Sequence, residues 1–338
     1  MNTYRVFHKN LKVRTLAAIA LVGLLVSSCS SPNSANQAAL KIVGNFYPVT
    51  WIAERVAGDG VEVTSLTPNG VEPHDLQLDA QSLALIQDAD IVFYLGSEFQ
   101  PEVEQAVAQL EDKSKAVDLL KSPGVKLLDA KEEDDDHDHD HDHDHDHDHD
   151  HEGEEEEEVE HKHPLAGGKD PHVWLDPANM ISMARKVSSE LIRVAPESEP
   201  LFSSNLEKLI DALSLLDQDI AEQLSDCKVR TVVTSHAAFL YFTEKYGFEQ
   251  LAIAGISPDD EPDAKRIAGI ADAAKDAGVA TVYFEEVLSP SLAQTVAREI
   301  KAELSLLSAL EFAPESGDYI SQMRSNLENL FVGQGCSN

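Results

Sequence analysis

The sequence predicts an α/β protein of two lobes, each a parallel sheet flanked by helices, joined by a long linking helix. Short β-rich runs alternate with amphipathic helical patterns in two separate sets, as parallel-sheet layers require. Between the sets lies a purely helical stretch. Its periodic part, from about residue 199 to 224, makes a rod of roughly 40 Å at ~1.5 Å per residue. A length of 338 residues with 42% apolar content is enough for two cores.

The chain opens on an export signal, residues 1–28. Arg5, Lys9, Lys12 and Arg14 form a positive region ahead of an apolar stretch at 16–26, about half of the ~20 residues that span a bilayer. Val26-Ser27-Ser28-Cys29 then resembles the lipobox of bacterial lipoproteins, which implies acylation of Cys29. The Ser/Asn-rich residues 30–37 suit a flexible tether, so 29–39 is read as a lipidated tether. Cys227 and Cys336 remain, in an oxidising compartment, as candidates for a disulfide.

The first lobe, 40–195, is predicted to hold strands at 40–45, 61–67, 91–95 and 116–119. Helices fall near 50–57, 80–89 and 101–110, and a last one starts at Asp176-Pro177 and runs to about 194. Pro196 and Pro200 punctuate the start of the linking helix, 196–226. The second lobe, 227–338, is predicted to hold strands at 230–235, 250–255, 280–284 and 304–308. Its helices fall near 238–246, 262–277, 291–302 and 319–330.

Within the first lobe, residues 131–163 stand apart. Asp and His alternate from Asp136 to His151, followed by Glu154–Glu158, His161 and His163. Such a run cannot bury a core and predicts a disordered insertion. It carries 19 acidic and 2 basic residues, so −17 of the formal net charge of −35 is local and the body is only moderately acidic. That charge repels phosphate backbones and anionic headgroups, which argues against a nucleic-acid partner.

Ten of the 14 histidines lie in this insertion: His137, His139, His141, His143, His145, His147, His149, His151, His161 and His163. His8 lies in the signal, leaving His74, His172 and His236 for the folded body. Each of the three sits in a loop beside a predicted element. His74 is in Pro68-Asn69-Gly70-Val71-Glu72-Pro73-His74-Asp75, His172 in Asp170-Pro171-His172-Val173-Trp174, and His236 ends a strand in Thr234-Ser235-His236. Ligands of open α/β sheets collect beyond the strand carboxyl ends, where all three could converge. Separations of 98 and 64 residues are not a local metal motif, so spacing favours a metal without securing one.

These segments, in this order, resemble the metal-binding solute-binding proteins of bacterial ABC importers for zinc and manganese. The resemblance runs from Leu40 to about Val332. It includes Tyr47-Pro48, Tyr94-Leu95-Gly96, Phe284-Glu285-Glu286 before Ser289-Pro290-Ser291, and Gly317-Asp318-Tyr319 with Met323-Arg324-Ser325-Asn326-Leu327. It implies a metal in the cleft between the lobes, held by His74 and His172 from the first and His236 from the second. Glu311, or a water, is implied as the fourth ligand. Some zinc members use a Glu directly before the first histidine; Pro73 stands there here.

The resemblance implies a monomeric, extracytoplasmic receptor that captures Zn²⁺ and passes it to an importer permease with its ATPase, not an enzyme. Three imidazoles suit Zn²⁺, whereas Mn²⁺ prefers more carboxylate oxygen. The Asp/His tract is expected to collect zinc weakly beside one tight site. A manganese receptor, a zinc-buffering lipoprotein, an adhesin and a zinc hydrolase are the alternatives.

Overall fold

The computed structural model describes residues 40–130, 168–258, 262–285 and 289–337. The signal, the tether with Cys29 and the 131–163 insertion with its ten histidines lie outside the described residues.

Two parallel four-stranded sheets form the framework. The first contains β1 (Lys41–Gly44), β2 (Glu62–Ser65), β3 (Ile91–Tyr94) and β4 (Ala116–Asp118) in the order β2-β1-β3-β4. The second contains β5 (Thr231–Thr234), β6 (Glu249–Ala252), β7 (Thr281–Phe284) and β8 (Glu303–Leu306) in the order β6-β5-β7-β8. The two orders are the same, so each sheet has its switch point between its first and third strands, where ligand crevices form.

Helices α1 (Tyr47–Ala57), α2 (Ala80–Asp88), α3 (Pro101–Val107) and α4 (Pro177–Val194) accompany the first sheet. The long helix α5 (Glu199–Gln223) precedes the second sheet, which is accompanied by α6 (Leu240–Tyr246), α7 (Ala264–Asp276), α8 (Ser291–Ile300) and α9 (Tyr319–Gly333). The expected order of elements is present throughout, with shifts at the ends. The first helix starts at Tyr47 rather than 50, because Pro48 occupies the first turn, where no intrahelical N–H is needed. The helix expected from 262 starts at Ala264, because the Asp263 carboxylate caps it by accepting from the Arg266 amide.

Strand alternation sends successive side chains to opposite faces. Val43 and Val92 pack with Ile86 and Val103 under α2 and α3, and Val233 and Val282 pack with Ala271 and Val296 under α7 and α8. The other faces meet in one continuous core. It runs from Ile42 and Phe93 through Leu213, Leu216 and Ile220 of α5 to Val232 and Tyr283. Each of these fully buried aliphatic side chains contributes ~1.5–3 kcal/mol by leaving water. The spine is therefore packed into both lobes and is not a free hinge.

Polar ties cross the same seam. The Trp174 indole N–H donates to the Ala309 carbonyl at 2.7 Å, and the Tyr319 hydroxyl donates to the Trp174 carbonyl at 2.6 Å. Lys245 of α6 pairs with Asp176, the cap of α4, at 2.6 Å and with Asp217 of α5 at 2.8 Å. Cys227 and Cys336 are joined by a disulfide that fastens the end of the chain beside the start of the second sheet. Among the described residues no helix is long and apolar enough to cross a membrane.

Candidate metal centre

The three body histidines converge. His172 lies in the turn leading into α4, which starts at the Asp176 cap and Pro177. His236 follows β5, and His74 lies in the loop between β2 and α2. The side chains of His172 and His236 are 0% exposed, that of Glu311 2% and that of His74 8%.

Their facing atoms are closely spaced. His74 Nε2 lies 3.4 Å from His172 Nε2. Glu311 Oε1 lies 3.7 Å from His74 Nε2, 3.6 Å from His172 Nε2 and 3.5 Å from His236 Nε2. Such separations are long for hydrogen bonds. They are close to the ~3.3–3.5 Å edges of a tetrahedron with ~2.0–2.1 Å ligand bonds. Donor atoms mutually within 4.8 Å form two sets, His74/His172/Glu311 and His236/Glu285/Glu311, joined through Glu311.

Burial without partners marks the same place. Among the described residues, six buried side-chain N or O atoms lack a hydrogen-bond partner, and His236 Nε2, Glu311 Oε1 and Glu72 Oε2 are three of them. Unpaired buried polar atoms cost several kcal/mol unless something charged meets them, so their clustering fits a cation-binding cage.

Outer carboxylates orient the imidazoles. His172 Nδ1 lies 2.9 Å from Asp170 Oδ1, which also accepts the His172 backbone N–H at 2.8 Å. His236 Nδ1 lies 2.7 Å from Glu285 Oε1, at the end of β7. A proton on each Nδ1 leaves Nε2 with its lone pair toward Glu311, the arrangement of carboxylate–histidine–metal triads. Asp170 and Glu285 stand in the quoted sequence segments without an expected role. The Asp170 signal was local, two residues from His172; the Glu285 signal needed the pairing of β5 with β7.

Glu72 is a further omission. Directly before His74, where some zinc members of the family carry a glutamate, this chain has Pro73. The structure instead brings in Glu72, whose Oε1 accepts the His74 backbone N–H at 3.2 Å. Burial, and next the Glu311 charge, push its carboxyl up to about 8.

The remaining shifts follow from the same geometry. Burial pushes the His236 imidazole down, but the charges of Glu285 and Glu311 prevail and hold it well above its usual value. Burial likewise opposes the charge of His172, and Asp170 reverses it to a net rise. Burial lowers His74, and the Glu311 contact only partly offsets it. Burial pushes Glu311 up, yet His236 and the other imidazoles take it well below the usual carboxylate range.

Leu310 sets up Glu311. It is 1% exposed and has a left-handed φ of 59°, unusual for a branched residue, so packing fixes the backbone that turns Glu311 inward.

Comparison with known proteins agrees with this architecture. The chain is 35% identical over 325 residues to the zinc-binding lipoprotein AdcA of Streptococcus pneumoniae, covering 95% of this chain and 60% of that one. It thus spans about 60% of the length of that relative. It is 32% identical over 329 residues to the high-affinity zinc uptake system protein ZnuA of Bacillus subtilis, covering 93% of this chain and 95% of that protein. Among solved structures, the Zn(II)-bound ZnuA-like domain of Streptococcus pneumoniae AdcA superposes with a TM-score of 0.68 at 32% identity, over 88% of this chain and 99% of that domain. Residues 42–332 match the family model ZnuA, described as zinc-uptake complex component A, periplasmic, and the chain belongs to that family.

Proposed function

We propose that this chain captures Zn²⁺ outside the cytoplasm and delivers it to an ABC importer permease with its ATPase. One observation carries the reading: Glu311 Oε1 stands 3.5–3.7 Å from the Nε2 atoms of His74, His172 and His236. Three imidazoles and one carboxylate form an N-rich donor set that suits Zn²⁺ over Mn²⁺. The zinc-binding relatives support the same metal.

The ligand count supports capture rather than catalysis. Catalytic zinc sites keep a position open for water, whereas four protein donors enclose their ion. Ligands drawn from both lobes also suit a cargo that must later leave. His74, the donor with the most exposed side chain, marks the side of entry. Tethering through an acylated Cys29 would hold the receptor at the membrane, and the tract of ten histidines would collect zinc weakly beside the tight site.

Calorimetric titration with Zn²⁺ and, separately, Mn²⁺ tests the reading. One tight zinc site, with manganese bound more weakly, is the expected result. Equal affinity for the two ions would overturn the choice of zinc, and zinc turnover of an ester substrate above a His236→Ala control would overturn capture in favour of catalysis.

A further inference from the structure

The cage histidines need their backbones held as firmly as their rings, and the lobes achieve this by the same chemical device. In the first lobe Gln100, 1% exposed at the start of α3, donates through Nε2 to the Pro73 carbonyl at 2.9 Å and to the Thr67 hydroxyl oxygen at 2.9 Å. Its Oε1 accepts from Asn45 Nδ2 at 2.8 Å. In the second lobe Gln250 of β6 donates through Nε2 to the His236 carbonyl at 3.0 Å and to the Thr234 hydroxyl oxygen at 2.8 Å.

The direction of these bonds is forced. Thr67 spends its hydroxyl hydrogen on the Asn45 carbonyl at 2.7 Å, and Thr234 spends its own on the His236 carbonyl at 2.7 Å. Each threonine oxygen can then only accept, and the Pro73 and His236 carbonyls are acceptors by nature. Both sites therefore require an NH₂ group that donates twice. A glutamate would keep the shape but set carboxylate lone pairs against two acceptors.

We infer that Gln100 and Gln250 are paired positioning residues that fix the backbone at His74 and at His236, and so set the reach of one metal donor from each lobe. The Nε2 atoms of both glutamines are occupied by carbonyl and hydroxyl acceptors. They act on carbonyls at or next to the cage histidines, a second support independent of the Asp170 and Glu285 hydrogen bonds to the rings. The His74 ring itself packs edge-on against Phe99 with centroids 4.8 Å apart, so its backbone support also sets that contact. The inference rests on reading the cage as a zinc site.

The test compares Gln100→Glu and Gln250→Glu with the volume-matched Gln100→Met and Gln250→Met in the full chain. Zinc affinity is measured by competition with a chromogenic chelator, and Co²⁺ absorption reports the donor geometry. Melting of the metal-free protein is followed alongside. Loss of a group supporting a metal ligand typically weakens binding ~10–100-fold, and that loss is expected in all four variants, with an altered cobalt spectrum. Lowered melting with unchanged zinc affinity and an unchanged cobalt spectrum would make the glutamines purely structural and overturn the inference. Failure of the Met variants to fold would overturn it as well, since a positioning role does not require them for folding. A His236→Ala control separates the two levels: tight zinc binding retained there sinks the site assignment itself, whatever the glutamine variants do.

Discussion

His236 Nε2 and Glu311 Oε1 face each other across 3.5 Å, both buried and neither with a hydrogen-bond partner. Two such atoms, brought from segments that follow different strands, are costly to the fold, and the proposed cation between them would offset that cost. His236→Ala should therefore weaken zinc binding on the order of 100-fold or more, since even groups outside the donor set are worth ~10–100-fold. Glu311→Gln keeps an oxygen donor without its charge and should weaken binding less. Chelator competition on the two variants ranks them, and an unaffected His236→Ala protein would remove His236 from the site.

Glu285→Gln should act through His236 rather than on the ion. The 2.7 Å contact to Nδ1 holds the ring and raises its basicity. A neutral amide there should cost ~10–100-fold in zinc affinity, and Asp170→Asn should do the same through His172. Each is checked by affinity together with the number of ions bound, which should stay at one for the cage. A drop in that number would show that the carboxylate itself ligates.

The eight strands and the body histidines were legible because each rests on local pattern: apolar runs of strand length, loop residues and punctuation by proline. The proposed fourth donor was legible only by resemblance. Glu311 owes its position to the left-handed backbone at Leu310, and a single leucine in a sequence does not announce a positive φ. Glu72 and Glu285 were missed for a related reason. One depends on how the His74 loop folds back, the other on a strand pairing across 49 residues of sequence.

Zinc binding should depend on pH more steeply and from a higher pH than a free imidazole would dictate. His236 and His172 are raised in the folded chain, so protons compete with zinc at pH values where ordinary imidazoles are already neutral. In the metal-free protein the same shift adds stability that is fully present below the unfolded imidazole value and fades as pH rises through the folded one. The melting increment produced by zinc should then be larger at about pH 8 than at about pH 6. An increment independent of pH would mean that zinc displaces no proton from these rings.

The disulfide should matter for stability and not for the metal. Cys227 and Cys336 are 109 residues apart, so the link removes much of the freedom of the unfolded second lobe. Reduction, or Cys227→Ser with Cys336→Ser, is expected to cost about 2–5 kcal/mol. Chemical denaturation with and without reductant measures this. Loss of zinc affinity alongside would show that the link also holds the cage.

Deletion of residues 134–163 should leave the tight site intact. The ends of the segment are closed by the body of the protein: the Ala130 amide donates to the Gly168 carbonyl at 2.7 Å, the Asp170 amide donates to the Leu128 carbonyl at 3.1 Å, and Asp129 bridges Lys169 in antiparallel fashion. A short connection can therefore replace the segment without pulling on Asp170 or His172, and loop closure varies only slowly with length. Titration should show fewer weak zinc ions and one unchanged tight ion. If the tight site disappears with the tract, the cage does not bind zinc by itself and the chain is a buffer built on its histidine run.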